Sequence, residues 1–271
     1  MTRHRLVQID AFADAPFAGN PAAVMPLDEW LDDATLLAIA AENNLSETAF
    51  YLPDASGAAD FELRWFTPTA EVALCGHATL ATGHAILSEE EARSAVSFRT
   101  RKAGILEVRR SGEGGYELDL PATKMAPAER PDLTDALGLP GAEVFLSDTG
   151  AAEDTAIVLV DSAEAVRKAD PDFRALGDIH LMAIVTALDP DGATDIVSRV
   201  FVPAWGIDED PVTGSAHAAL TPFWAERLGR DSFTAFQASR RGGHVACRLD
   251  GERAVLGGRC VTVIEGEFLL P

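Results

Sequence analysis

Long apolar runs are missing from this chain: nowhere do about 18 consecutive residues stay apolar, so no segment offers a membrane-spanning helix. Cysteine is scarce and odd in number. Cys75, Cys247 and Cys260 show neither CxxC nor Cys/His ligand spacing, which argues against a disulfide framework and indicates no metal site; a reducing compartment fits. Positive charge is short as well, with 22 Lys and Arg against 43 Asp and Glu, a net charge of −21 and a pI near 4.5. Such a surface repels nucleic-acid phosphates and anionic membranes, so neither is expected as a partner. An acidic substrate must then be drawn in by a local site working against the global field. Also absent are GxGxxG after a strand, GxxxxGK[ST], HExxH and GxSxG, which removes the usual support for nicotinamide, nucleotide, zinc-hydrolase and serine-hydrolase chemistry. The first residues, Met1-Thr2-Arg3-His4-Arg5-Leu6-Val7, lack the apolar run of a signal peptide, and a cytoplasmic location is expected.

What is present is a repeated turn. Leu74-Cys75-Gly76-His77-Ala78-Thr79 and Val212-Thr213-Gly214-Ser215-Ala216-His217 each read as a glycine turn opening a helix of small residues. Gly76 and Gly214 stand 138 residues apart in a chain of 271, the offset expected of a duplicated, two-lobed protein. The first turn of a helix carries backbone N–H groups without intrahelical partners and attracts anions. Two opposed helix starts would hold a carboxylate between them and steady negative charge developing during reaction. Taken singly, each is also explained as an ordinary helix start under tight packing.

Periodicity predicts strands at 6–12, 20–25, 48–52, 61–66, 95–99, 104–109 and 116–120, with helices over 34–43, closed by Asn43 and Asn44, and over 76–90. After Pro121 a similar order restarts: helices at 133–137, 163–169 and 214–228, and strands near 143–147, 155–160, 183–188, 195–202, 233–238, 244–249, 253–256 and 260–264. Strands outnumber helices and often follow one another directly, which argues for an α+β fold rather than a doubly wound parallel sheet. The expected lobes are 1–118, joined by the terminal strand 262–271, and 119–261.

Three side chains are candidates to carry chemistry. Glu47, in Asn43-Asn44-Leu45-Ser46-Glu47-Thr48-Ala49-Phe50, follows a helix at the mouth of a strand. It is either a solvated loop residue or, if buried beside the helix starts, a group whose opposing desolvation and dipole effects suit it to take and give a proton. Asp210 precedes Pro211 and the second turn; its alternative role is capping, for which Thr213 and Ser215 compete. His77 lies in the first turn of its helix, where the dipole is expected to keep the imidazole neutral. His4, His84, His180, His217 and His244 have no comparable setting and read as scaffold or surface. Arg240-Arg241-Gly242-Gly243 reads as an anion clamp or a polar hairpin turn.

The segments DAFADAPFAGNPAAV (10–24), NNLSETAF (43–50), LRWFTPTAEVALCGHATLATGHAI (63–86), FVPAWGIDEDPVTGSAHAAL (201–220) and, more weakly, QASRRGGHV (237–245) resemble the PhzF family of phenazine-biosynthesis-like isomerases, which share the diaminopimelate epimerase fold. The resemblance implies two pseudo-symmetric lobes, each a curled, mostly antiparallel sheet around a central helix, assembled as a homodimer. It implies a cofactor-independent isomerase, without metal, that shifts a proton within a small carboxylate-bearing substrate such as dihydro-3-hydroxyanthranilate, from C3 to C1. Glu47 falls on the family's proton shuttle, His77, Asp210 and Ser215 on its other catalytic positions, and Gly76, Thr213 and Gly214 on the turns that bind substrate. Relatives of the same fold epimerise amino acids with two cysteines, one at each turn. This chain has Cys75 at the first but Thr213 at the second, and a hydroxyl is far too weak an acid to stand in for a thiol of pKa about 8.5. An amino-acid racemase or epimerase is therefore the alternative reading, with a non-catalytic small-acid binding protein as a third.

Overall fold

The computed structural model describes residues 1–147 and 155–270. Two compact units divide the chain: Met1–Leu120 with Gly257–Pro271, and Pro121–Leu256.

The first unit holds β1 (Thr2–Ala11), β2 (Asn20–Pro26), β3 (Glu47–Pro53), β4 (Phe61–Phe66), β5 (Glu71–Val72), β6 (Ala95–Thr100), β7 (Ile105–Arg110), β8 (Tyr116–Pro121) and the closing strand Cys260–Leu270. The closing strand pairs antiparallel with β1 along its whole length, from Thr2↔Leu270 to Ala11↔Cys260. From β1 the sheet continues through β2, β3, β4, β6, β7 and β8; the β2–β3 and β4–β6 pairs are parallel and the rest antiparallel. A parallel pair needs a crossover, and α1 (Asp33–Asn43) and α2 (Gly76–Glu89) lie in the two crossovers. They cover opposite faces. Met25 of β2 and Phe50 of β3 cluster with Leu36 and Ile39 of α1. Their neighbours Val24 and Ala49, turned to the other face by strand alternation, are wholly buried on the side that meets α2.

Helix α2 touches β1, β2, β3, β6, β7 and the closing strand. A sheet that reaches one helix from six strands is curled around it, and 10 of the helix's 14 residues are accordingly buried. Thr79 and Thr82 enter this core satisfied, donating to the carbonyls of Cys75 and Ala78 at 2.6 and 2.7 Å. Gly83 admits β7: a Cβ there would stand 2.4 Å from Val108 Cγ1.

The second unit contains β9 (Met125–Ala128), β10 (Glu143–Ser147), β11 (Thr155–Leu159), β12 (Met182–Leu188), β13 (Ile196–Val202), β14 (Ile207–Asp210), β15 (Ser232–Gln237) and β16 (Gly243–Asp250), with α3 (Pro131–Ala136), α4 (Ala163–Lys168), α5 (Phe173–Gly177) and α6 (Gly214–Leu228). Its sheet runs β9, β10, β11, β12, β13, β15, β16, with β14 added beside β13; β11–β12 and β13–β15 are the parallel pairs. The crossovers again hold helices, α4 and α5 in one and α6 in the other. Leu133, Val144, Val166, Leu176, Val185, Val197 and Phe201 form one core. The Trp224 indole of α6 donates to Thr186 Oγ1 at 3.2 Å. Pro222 lies inside α6 and cannot bond the carbonyl of Ala218, which instead accepts the Thr123 N–H at 3.1 Å.

Each unit repeats one device ahead of its glycine turn. Arg64 grips Glu71 through Nε and Nη2 at 2.8 and 2.9 Å, with its guanidinium 4.9 Å from the Phe66 ring. Arg199 grips Glu209 at 2.7 and 2.9 Å and lies 4.8 Å from the Phe201 ring. Gly76 and Gly214 each follow their glutamate by five residues. The bidentate clamp anchors the chain entering each turn, and its recurrence marks an internal duplication. The fold is α+β, as the pattern of strands predicts. Helix α6 has the bounds expected of it, whereas α5 was not anticipated: five residues are too few to show a period, and only Asp172, accepting the N–H groups of Arg174 and Ala175, signals its start. The closing strand, read as a pattern near 260–264 and as the terminal strand 262–271 of the first lobe, is one strand from Cys260 to Leu270, with β1 pairing along it throughout.

Candidate active site

The first constellation sits where β2, β3 and α2 begin. Helix α1 ends with Asn44 in the left-handed conformation, φ 49°, its N–H bonded to Ala40, and this sharp exit starts β3 at Glu47. Strand β2 starts at Asn20, after Gly19 at φ +64°, where a Cβ would lie 2.1 Å from the Ala11 carbonyl oxygen; only glycine fits there. Parallel pairing sets Ala22 opposite Glu47, which brings the two strand starts together. Cys75 is the N-cap of α2 and makes no side-chain capping bond, so the first-turn amides from Gly76 onward are left for an anion.

His77 Nε2 lies 3.1 Å from Glu47 Oε2, both side chains being largely buried. The contact is an ion pair by distance but falls outside hydrogen-bond alignment, and Oε2 is buried without a hydrogen bond among the described residues. On its other side His77 Nδ1 meets Asn20 Nδ2 at 3.1 Å and Cys75 Sγ at 3.5 Å, while Asn20 Oδ1 accepts from Ser46 at 3.1 Å.

The helix dipole predicts a neutral His77, and the groups packed against the ring act the other way. Burial pulls the imidazole's pKa down, but Cys75 and Glu47 push it up and prevail, so it lies well above the ordinary histidine value. Of these two the carboxylate is the charged partner, because burial pushes the Cys75 thiol up to about 11 and keeps it protonated at neutral pH. A full negative charge at 3.1 Å outweighs the fractional charge of a helix end. Glu47, Cys75 and His77 offer ligand atoms within 4.8 Å of one another. A carboxylate, thiol and imidazole are a set that zinc accepts, though the thiol would first have to lose its proton.

The second constellation lies at the start of α6. Asp210 ends β14 and is buried; Thr213 is the N-cap of α6 but does not cap it with its side chain. Instead the Thr213 hydroxyl donates to Asp210 Oδ2 in a short hydrogen bond. Gln237, wholly buried at the end of β15, takes the Thr213 N–H on Oε1 at 2.9 Å and donates from Nε2 to the Asp210 carbonyl at 2.7 Å and to Thr213 Oγ1 at 3.2 Å. His217, also wholly buried, bonds the Thr213 carbonyl through Nδ1 at 2.8 Å. Ser215, half-buried in the first turn, has its hydroxyl 3.9 Å from Met182 Sδ.

Glu47 thus meets His77, and Asp210 meets Thr213, with Gly76 and Gly214 as the first residues of α2 and α6. His217 is scaffold rather than surface. Arg240-Arg241 lies between β15 and β16 in a turn tied by Ser239, which donates to the Pro211 carbonyl at 2.7 Å and accepts the Gly242 N–H at 3.0 Å. The sequence reading passed over Asn20 and Gln237. Each is an uncharged amide at the end of a strand, and once buried such a side chain must find polar partners.

This is an α+β protein of the epimerase-like type, built from two units that each open a buried helix on a glycine turn beside a carboxylate. The chain belongs to the PhzC-PhzF family, described as phenazine biosynthesis-like protein, which it matches over residues 9–266. Its relatives include an uncharacterized isomerase of Pseudomonas aeruginosa, 46% identical over 98% of both chains. Another is the human phenazine biosynthesis-like domain-containing protein, 37% identical over 95% of this chain and 96% of that one. The crystal structure of a PhzF-family protein from Enterococcus faecalis superposes with a TM-score of 0.87 at 39% identity, covering 99% of this chain and all of that one. A hydroxyproline epimerase of Agrobacterium vitis, with a TM-score of 0.66 at 15% identity over 98% of this chain and 92% of its own, shares the fold alone. No helix among the described residues is long and apolar enough to cross a membrane.

Proposed function

We propose that this chain is a cofactor-independent isomerase that moves a proton along one face of a small carboxylate-bearing substrate, with Glu47 as the carrier. The observation that supports the reading is the pairing of Glu47 with His77 beside the uncapped start of α2. The groups packed around His77 favour positive charge on the ring that faces the Glu47 carboxylate. Once Glu47 has taken a proton from one carbon, that charge favours its release to the next. Glu47 begins and ends as a carboxylate, and the substrate keeps its atoms and electron count while a C–H bond and a double bond exchange places. Asp210 and His77 orient the substrate's polar groups, and Ser215 with the amides at Gly76 and Gly214 holds its carboxylate. Among substrates of this shape, 2,3-dihydro-3-hydroxyanthranilate, with the proton passing from C3 to C1, is the one to test.

Glu47→Gln keeps the shape and removes the base. In deuterated buffer, wild type is expected to convert this substrate with label entering the product, and the variant to be slower by about 10²–10⁴-fold. Its affinity for 3-hydroxyanthranilate, an aromatic counterpart that cannot isomerise, is expected to stay within about threefold, since only the reacting group is lost. Label incorporation by Glu47→Gln at the wild-type rate would sink the assignment.

A further inference from the structure

We infer that Gln237 is a positioning residue for Asp210, acting through Thr213 to present the carboxylate in one orientation. The inference rests on the proposed role of Asp210 and extends it to a residue on the next strand, 27 positions away in sequence.

Gln237 is wholly buried, so its amide must find both an acceptor and donors within the protein. Its orientation is fixed by the backbone it meets. With Oε1 on the Thr213 N–H and Nε2 on the Asp210 carbonyl, each contact joins a donor to an acceptor; turning the amide over would set donor against donor and acceptor against acceptor. Nε2 also donates to Thr213 Oγ1 at 3.2 Å. A hydroxyl that accepts there has its own proton directed elsewhere, and it donates to Asp210 Oδ2. The direction of the chain is therefore amide to hydroxyl to carboxylate, each bond polarising the next. His217 fixes the remaining polar group of Thr213, its carbonyl, at 2.8 Å. All three polar groups of Thr213 are thus engaged inside the unit, and its hydroxyl is not spent on capping α6. This explains why a hydroxyl stands at the second turn: its work is to hold Asp210. A thiol, a weak donor, would do this poorly.

Turnover of 2,3-dihydro-3-hydroxyanthranilate by the full chain tests the inference. Gln237→Leu and Thr213→Val are each expected to lower kcat by about tenfold or more while KM moves less than about threefold, because a misaimed carboxylate harms orientation more than binding. Thr213→Ser, which keeps the hydroxyl, is expected to stay within about threefold of wild type in kcat. Added to Asp210→Asn, Gln237→Leu should cost less than about twofold more, since a residue acting through Asp210 has nothing left to position. If Gln237→Leu fails to fold, Thr213→Val against Thr213→Ser decides the matter. Losses that multiply in the double variant, or an impaired Asp210→Asn beside unimpaired Gln237→Leu and Thr213→Val, would overturn this inference alone. An inert wild type, or an unimpaired Asp210→Asn, would overturn the functional proposal and this inference with it.

Discussion

His217 makes the stability of the second unit depend on acidity. The imidazole is wholly buried in α6, donates from Nδ1 to the Thr213 carbonyl, and has no hydrogen-bond partner at Nε2 among the described residues. Protonating it would place a cation on that unmatched nitrogen. Burial lowers its pKa from 6.5 to about 4, against a small opposing effect of the Thr213 bond. The unfolded chain therefore binds a proton near pH 6.5 that the folded chain refuses until about pH 4. Stability rises with pH wherever the unfolded state holds more protons, so this contribution is complete above pH 6.5, fades as the pH falls toward 4, and changes no further below that. At about 1.4 kcal/mol per pH unit, the loss across the window comes to about 3 kcal/mol. His217→Asn retains an N–H for the same carbonyl and does not titrate. Urea unfolding followed by far-ultraviolet circular dichroism at pH 7 and pH 4 should show wild type losing about 3 kcal/mol more than the variant. Every other titrating group is common to both proteins and cancels. Equal losses in the two, or a His217 ring resonance that titrates near 6.5, would refute the reasoning.

Gly83→Ala should destabilise the first unit by about 1–3 kcal/mol in urea melts despite alanine's better helix propensity. The new methyl meets Val108 at Cβ as well as Cγ, and a buried Cβ cannot rotate away; adding Val108→Ala, which keeps that Cβ, should therefore recover little of the loss. Glu71→Gln leaves the Arg64 guanidinium, 3% exposed, with only the exposed Asp33 as a charged partner among the described residues, and a cost of about 1–3 kcal/mol is expected by chemical denaturation. Arg64 holds the Glu71 carboxyl below the usual glutamate range, so wild type should lose this contribution as acid protonates Glu71, and the gap to the variant should close at low pH. Cys75→Ala should keep isomerase turnover within about threefold, because a thiol held near pKa 11 supplies little thiolate at pH 7. Deuterium exchange at the α-carbon of an amino acid by wild type, abolished in that variant, would instead favour an epimerase.

Local chemistry was enough to place the helices that matter. Gly76 and Gly214 stand where the chain must turn into a helix, Asn44 where it must leave one, and the apolar spacing of 214–228 carries α6 to its observed end. The spacing of the two turns likewise exposed the duplication. His77, Asp210 and Ser215 stand beside the glycine turns in sequence and Glu47 between a helix and a strand, but the catalytic assignment of the four came from the family resemblance. What sequence could not give is anything that depends on a partner far along the chain. The charge of His77 followed from Glu47, 30 positions away in sequence and 3.1 Å away in space, where a Coulomb interaction overrides the helix end. Gln237 acquired its role from a turn 24 residues earlier, and Pro222 is tolerated because Thr123 bonds the carbonyl it leaves unmatched. Sequence thus determined which segments turn, coil and extend, since those preferences act over a few residues. Burial and long-range pairing decided protonation and hydrogen-bond direction, because desolvation and close charge exist only once distant segments are packed together.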